Sequence, residues 1–196
     1  KIDAATDTGL NLPDEGYTLD IQGNTAILRS KTEQGLVWAR ATLEQLKDAD
    51  GKVPQVKILD YPAFPIRGFM HDTGRNFRPV EMLKKEIELF SSYKLNVFHW
   101  HLTDNPAWRI ESRCYPQLND PKYCPADRNP GMFYTYDEIR DVIAHAKKHG
   151  VTVIPELDIP GHSQYFMTIF GVQMETVKGM KILDALFEEF LEEIPA

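Results

Sequence analysis

From Arg67 onward the sequence repeats one pattern three times: a short apolar run, a polar loop, then a helical stretch. The apolar runs are "IRGFM", "KLNVFHWHL" and "VTVIPEL". None alternates cleanly between apolar and polar residues, as a strand with one wet face would. Strands of that kind are buried on both sides, as in a parallel sheet covered by helices. The stretches between them carry the helical period. Val80, Leu83, Ile87 and Phe90 follow Pro79, which suits a first helical turn. Ile139, Val142, Ile143 and Ala146 lie ahead of the helix stop Gly150, and Met180, Leu183, Phe187 and Phe190 fall in a last helix over about Val177–Leu191. In such folds functional groups gather where the strands end.

The residues before Arg67 have another character. Residues 1–16 are polar and read as a loose lead-in. "YTLDIQGNTAILRS", Tyr17 to Ser30, reads as two strands around a Gly23-Asn24 turn. "EQGLVWARATLEQL" has helical spacing, "DADGKVP" breaks it, and "ILDYPAFPI" reads as an extended linker. The expected fold class is therefore α/β. Residues 1–60 read as the end of a small α/β domain and residues 61–196 as a separate strand–helix domain.

A hydrophobic content of 42% and a charged content of 26% suit an ordinary folded domain. The net charge of −7 comes from interspersed signs, with no basic face for nucleic acid. No run approaches the ~18 apolar residues of a membrane span. The chain opens on Lys1, read as either a removed signal or an expressed piece. Cys114 and Cys124 lie in the long loop Thr103–Tyr134. Two free thiols and one local disulfide both fit them, the latter implying an oxidising compartment.

Each apolar run empties into a loop bearing a charged or planar group. The first carries Asp72 and Arg75, the second Asp104, Asn105 and Trp108, the third Glu156, Asp158 and His162. An arginine fork can grip two adjacent hydroxyls. Asp104 and Asp158 can accept hydroxyl hydrogen bonds, and Trp108 can offer a flat face. Together they suit a neutral, polyhydroxylated ligand. The bland readings stand beside these: an Arg75–Asp72 rim ion pair, His162 as a turn residue, Trp108 in the core, Glu156 facing solvent.

His99 and His101 point to one side of a strand, a spacing that suits a metal. Hydrogen-bonded histidines behind the site are the preferred reading, and neither metal nor cofactor is expected. Asp137-Glu138 resembles a catalytic dyad but completes a T-x-x-E capping box with Thr135. Glu188-Glu189 and Glu192-Glu193 read as the solvated face of the last helix.

The stretches "RGFMHDTGRNF", "KLNVFHWHLTDNPAWRIE", "FYTYDEIRDVIAHAKKHGVTVIPELDIPGHS" and "GMKILDALFEEF" resemble glycoside hydrolase family 20, the β-N-acetylhexosaminidases. The resemblance covers about Tyr17 to Ile194. It implies the first three βα units of a (β/α)8 TIM-type barrel after the end of a small α/β domain, hence an incomplete barrel. It implies an exo-acting, retaining enzyme in which the substrate's own 2-acetamido group is the nucleophile, an exception to the two-carboxylate scheme. Arg75 and Asp104 would then bind the terminal N-acetylhexosamine, and Asp158 and His162 would support the catalytic acid. The family's adjacent Asp-Glu in an H-x-G-x-D-E motif does not occur in this sequence. The chain alone is therefore expected to be an inactive fragment that self-associates, from a secreted or periplasmic protein or a lysosomal-type one. A non-catalytic carbohydrate-binding or scaffold piece, and a metal-dependent amidohydrolase-type barrel resting on His99 and His101, are the alternatives.

Overall fold

The computed structural model describes residues 1–194, so Pro195 and Ala196 of the expected second domain lie outside the described residues. The chain divides into two units. One comprises Lys1–Gly68, Lys85–Val97 and Ala146–Thr152; the other comprises Phe69–Lys84, Phe98–His145 and the chain from Val153 onward.

The first unit contains strands β1 (Ile2–Thr6), β2 (Tyr17–Gln22) and β3 (Thr25–Ser30), helix α1 (Glu33–Gln45) and strand β4 (Val56–Asp60). The expected hairpin is present. Leu19 lies opposite Leu28 and Gln22 opposite Thr25, and Gly23 takes a positive φ of 54° at the turn. Thr32 caps α1 by accepting from the Gly35 N–H. Gly35 must be glycine, because a Cβ there would lie 1.9 Å from Ser30 Oγ. Tyr17, Leu19, Leu28, Leu36, Trp38 and Leu43 form the core between α1 and the sheet.

Two readings of this region need correction. The lead-in contains β1, which pairs parallel with β3 at the sheet edge. It is mostly exposed, so backbone pairing rather than a hydrophobic pattern holds it. The supposed linker begins with β4, which pairs antiparallel with β2. Pro62 and Pro65 follow that strand instead of interrupting it. Side chains then fasten the stretch beyond. Glu15 accepts from Trp38 Nε1 at 2.7 Å and Asn96 Nδ2 at 2.9 Å, and pairs with Arg67. Asp60 accepts from Tyr17 Oη and Lys94 Nζ, each at 2.7 Å.

The remaining elements run β5 (Gly68–Asp72), α2 (Val80–Ser92), β6 (Val97–His101), β7 (Thr103–Asp104), β8 (Ala107–Trp108), α3 (Tyr136–Lys148), β9 (Thr152–Glu156), α4 (Gln164–Phe170) and α5 (Val177–Glu193). Strands β5, β6 and β9 form one sheet in that order. Near their starts Asn96 N bonds Arg67 O and Thr152 N bonds Asn96 O. Near their ends Thr73 N bonds His101 O and Leu102 N bonds Glu156 O. The strands start together and end together, so they run parallel. No closed barrel is present among the described residues.

The helices bury the predicted stripes with one shift. Leu83 and Ile87 of α2 and Ile139, Val142 and Ala146 of α3 are buried. In α5 the buried residues are Ile182, Leu183, Leu186 and Phe190, while Met180 is exposed. The capping box is formed: Glu138 Oε2 accepts from Thr135 N at 2.8 Å, and Thr135 Oγ1 accepts from Glu138 N at 3.2 Å. The reading of Glu189 and Glu193 as merely solvated is wrong. Glu189 accepts from the N–H groups of Arg113 and Cys114 and from Tyr136 Oη, and Glu193 pairs with Arg113 and Arg140. The α5 carboxylates thus fasten the long loop. Both cysteines are free; burial first, then Glu189, pushes the Cys114 thiol up to about 11.

Candidate carbohydrate site

The site lies in the second unit, where β5, β6 and β9 end. Asp104 is its centre. The β7–β8 ladder, with Thr103 opposite Trp108 and Asp104 opposite Ala107, folds the chain back and buries Asp104 completely. One carboxylate oxygen, Oδ2, lies 2.9 Å from Arg75 Nη2, 2.7 Å from His101 Nε2 and 3.9 Å from His162 Nδ1. The other, Oδ1, accepts from Asn105 N at 2.6 Å.

Arg75 reaches this point because of the turn before it. Asp72 Oδ1 accepts from Arg75 N at 2.9 Å, and Asp72 Oδ2 accepts from Arg75 Nη1 at 2.6 Å. Gly74 permits the close approach, since a Cβ there would meet Asp104 N at 2.8 Å. The rim pair with Asp72 therefore exists, and the same guanidinium also engages Asp104. The Asp72 hydrogen bond first, then the charges of Asp104 and Asp158, hold Arg75 above the usual arginine range.

Asp158 and His162 come from the loop after β9. Asp158 N donates to Thr103 Oγ1 at 2.8 Å, and Asp158 Oδ2 lies 2.6 Å from His162 Nδ1. His162 has a φ of 45°, an uncommon conformation for a residue with a side chain. Its Nδ1 faces the two carboxylates, which leaves Nε2 for another group. Asn105 Oδ1 accepts from Gln164 N at 2.6 Å and ties this loop to the β7–β8 turn.

Glu156 faces the two histidines of β6. Its Oε2 lies 2.5 Å from His99 Nε2 and 2.9 Å from His101 Nδ1, the latter contact off a hydrogen-bonding line. His99 and His101 do share a side of β6, and their common partner is Glu156. Burial alone would depress His101, but Glu156 and then Asp104 outweigh it and raise its pKa above the usual histidine value. Ligand-type atoms of His101, Glu156 and Asp158, and of Asp104, Asp158 and His162, lie within 4.8 Å of one another. Those carboxylates are already engaged by Arg75 and the imidazoles, so we assign no metal.

Trp108 does not offer a platform. It is 3% exposed and packs beside Tyr165, with ring centroids 6.1 Å apart. Arg109, its neighbour, gave no signal in the sequence and is fully buried. It donates to the carbonyls of Gly74 (3.2 Å), Arg128 (2.5 Å), Asn129 (2.9 Å) and Met132 (2.8 Å). A buried cation thus holds the Arg75 turn and the cysteine loop together.

Comparison with known proteins supplies the family. Residues 64–183 match the model of the glycosyl hydrolase family 20 catalytic domain, and residues 1–61 match domain 2 of that family. A beta-hexosaminidase of Vibrio furnissii is 45% identical over 167 residues, covering 77% of this chain and 27% of the relative. Beta-hexosaminidase A of Caenorhabditis elegans is 33% identical, covering 92% of this chain and 35% of the relative. The chain thus spans roughly a quarter to a third of the curated relatives it matches. Among solved structures, a beta-N-acetylhexosaminidase from Bacteroides fragilis superposes with a TM-score of 0.88 at 29% identity, over all of this chain and 43% of the other. A GH20 exo beta-N-acetylglucosaminidase from Vibrio harveyi, solved with N-acetylglucosamine, superposes with a TM-score of 0.88 at 32% identity, over all of this chain and 36% of the other. By sequence and by structure, the chain belongs to glycosyl hydrolase family 20.

Proposed function

We propose that this chain supplies the sugar-gripping part of an exo-acting β-N-acetylhexosaminidase, a retaining glycosidase that removes terminal N-acetylhexosamine from glycans. The observation that carries this reading is the meeting of Arg75, His101 and His162 at the single buried carboxylate of Asp104. Arg75 keeps donor capacity beyond its two carboxylate partners, and its side chain is 45% exposed, so a sugar hydroxyl can reach it. Asp104 fixes that fork, and Asp158 fixes the imidazole of His162. In this reading residues 1–60 belong to the small domain, and β5, β6 and β9 are the first strands of a (β/α)8 barrel.

The chemistry follows from the substrate. Its acetamido oxygen attacks the anomeric carbon and forms an oxazolinium-type ring as the glycosidic bond breaks. A carboxylic acid protonates the leaving oxygen, water later opens the ring, and configuration is retained. In this chain Arg75 and Asp104 orient the sugar, while Asp158 and His162 steady the acid. The sequence has two adjacent Asp-Glu pairs: in Asp137-Glu138 the glutamate is spent on capping α3, and in Asp14-Glu15 the glutamate is held by Trp38, Asn96 and Arg67 in the first unit. The 196-residue chain therefore binds without turnover. Calorimetry with N-acetylglucosamine and assay with a chromogenic N-acetylglucosaminide test this together. Weak saturable binding that R75A abolishes, with no release of chromophore, is the expected result. Turnover by the pure chain, or no binding at all, would overturn it.

A further inference from the structure

Four carboxylates, those of Asp72, Asp104, Glu156 and Asp158, meet one arginine and three imidazoles at the ends of β5, β6 and β9. Arg75 alone cannot balance them, and Asp104 is fully buried. A buried carboxylate needs a charged or hydrogen-bonded partner. His101 is the other buried group that touches it, with Nε2 2.7 Å from Asp104 Oδ2. The opposite nitrogen, Nδ1, lies 2.9 Å from Glu156 Oε2. An ionised carboxylate oxygen only accepts, and a bare ring nitrogen only accepts. The Nδ1 contact lies off the hydrogen-bonding line, yet at 2.9 Å an ionised carboxylate oxygen still attracts a protonated nitrogen and repels a bare one, so the geometry favours a proton on each nitrogen.

We propose that His101 is a positioning residue, an imidazolium clamped between Glu156 and Asp104 that fixes Asp104 and, through it, the guanidinium of Arg75. Glu156 is then the counter-charge of the clamp. His99, whose Nε2 touches the same Glu156 oxygen, braces that carboxylate from the other side. The charged and titratable groups facing His101 are Asp104, Glu156, Asp72, Asp158 and His99. This gives the H-x-H pair of β6 a role that needs no metal, and it rests on the sugar-binding reading only in the use of Arg75.

Nitrogen-resolved NMR of the imidazole and guanidinium groups in the full chain tests the clamp without substrate. Both ring nitrogens of His101 should be protonated at about pH 7, with a titration midpoint above that of free histidine. E156Q keeps the shape and removes the counter-charge, so it should move that midpoint down. It should also shift or broaden the Arg75 N–H signals, as should H101Q. A neutral His101 with one bare nitrogen at that pH overturns the proposal. So do Arg75 signals unchanged in both variants. Should H101Q fail to fold, E156Q carries the test alone, since Glu156 is part-exposed. N-acetylglucosamine added last separates the two readings. Weakening of about tenfold in E156Q supports both. A clamp seen by NMR in a chain that binds no sugar leaves His101 as proposed and removes only the carbohydrate reading.

Discussion

Asp104 Oδ2 lies 2.9 Å from Arg75 Nη2, joining an exposed guanidinium to a carboxylate with 1% side-chain exposure. Exposed salt bridges contribute little on their own. This one differs because its acidic half also receives the buried His101 and a backbone N–H. The carboxylate is an anchor, and the arginine is what it anchors. D104N keeps the shape and removes the charge. It should lower stability by about 1.5–3 kcal/mol, the range for hydrogen bonds to charged groups. A shift of the urea midpoint with an unchanged slope is the measurement. A midpoint within error of the parent chain would show that Asp104 is not an anchor.

The approach of Arg75 to Asp104 depends on Gly74. A methyl group there would meet backbone and Cβ atoms of Thr103 and Asp104 at 2.8–2.9 Å, and backbone cannot step aside cheaply. G74A should cost about 1–3 kcal/mol as an overpacking change and, on the proposed function, weaken N-acetylglucosamine binding with it. Comparison of thermal midpoints and of calorimetric affinity checks both. Unchanged affinity in a destabilised G74A would mean that the turn does not set the position of Arg75.

The raised pKa of His101 has a signed consequence for stability. The folded chain holds the proton more tightly than the unfolded chain, whose histidine titrates near 6.5. The resulting stabilisation is fully present below that value. It is lost as pH rises from there through the folded value. Urea midpoints should therefore fall as pH rises from about 6.5 through the folded value, and H101Q should flatten that part of the profile. An identical slope in H101Q would assign the pH dependence to other groups.

The strand–helix repeat and the polar loops were legible because periodicity and strand ends are local features. Arg75, Asp104, Asp158 and His162 follow from them, and the structure brings these four together around Asp104. What escaped depends on contacts far apart in the chain. β1 carries no hydrophobic pattern and exists through pairing with β3. Glu189 reads as one of many acids on a helix, yet its partners Arg113, Cys114 and Tyr136 lie more than fifty positions away. Arg109 looks like any surface arginine until four carbonyls close around it. The histidine pair of β6 was visible, but only the placement of Glu156 on β9 shows what the two rings share.

Arg109 donates to four carbonyl oxygens, and burial pulls its pKa below the usual arginine value. Its planar fork spans the carbonyls of Gly74, Arg128, Asn129 and Met132, which a lysine ammonium on one stem cannot do. R109K should therefore be far from conservative. The Gly74 carbonyl lies on a buried residue and would lose the Arg109 donor, at about 1–3 kcal/mol. The loop over residues 124–132 should loosen first. Trypsin should then cut after Arg128 much faster in R109K than in the parent chain under native conditions, a test of local opening. Equal cleavage rates would mean that the loop does not depend on Arg109.

The sheet of the second unit leaves two large apolar side chains in water. Met70 of β5 and Ile154 of β9 are 59% and 48% exposed. By strand parity Met70 lies on the side of Asp72, and Ile154 on the side of Glu156. Exposed apolar residues on sheet strands favour association. The chain should therefore self-associate in a concentration-dependent way. M70K and I154K together place charge at both positions without touching Arg75, Asp104, Asp158 or His162. Multi-angle light scattering should show the parent chain moving above monomer mass as concentration rises, and the double variant remaining monomeric. A parent chain that stays monomeric across that range would mean the exposed pair does not drive association. Self-association unchanged by the double variant would place the contact elsewhere.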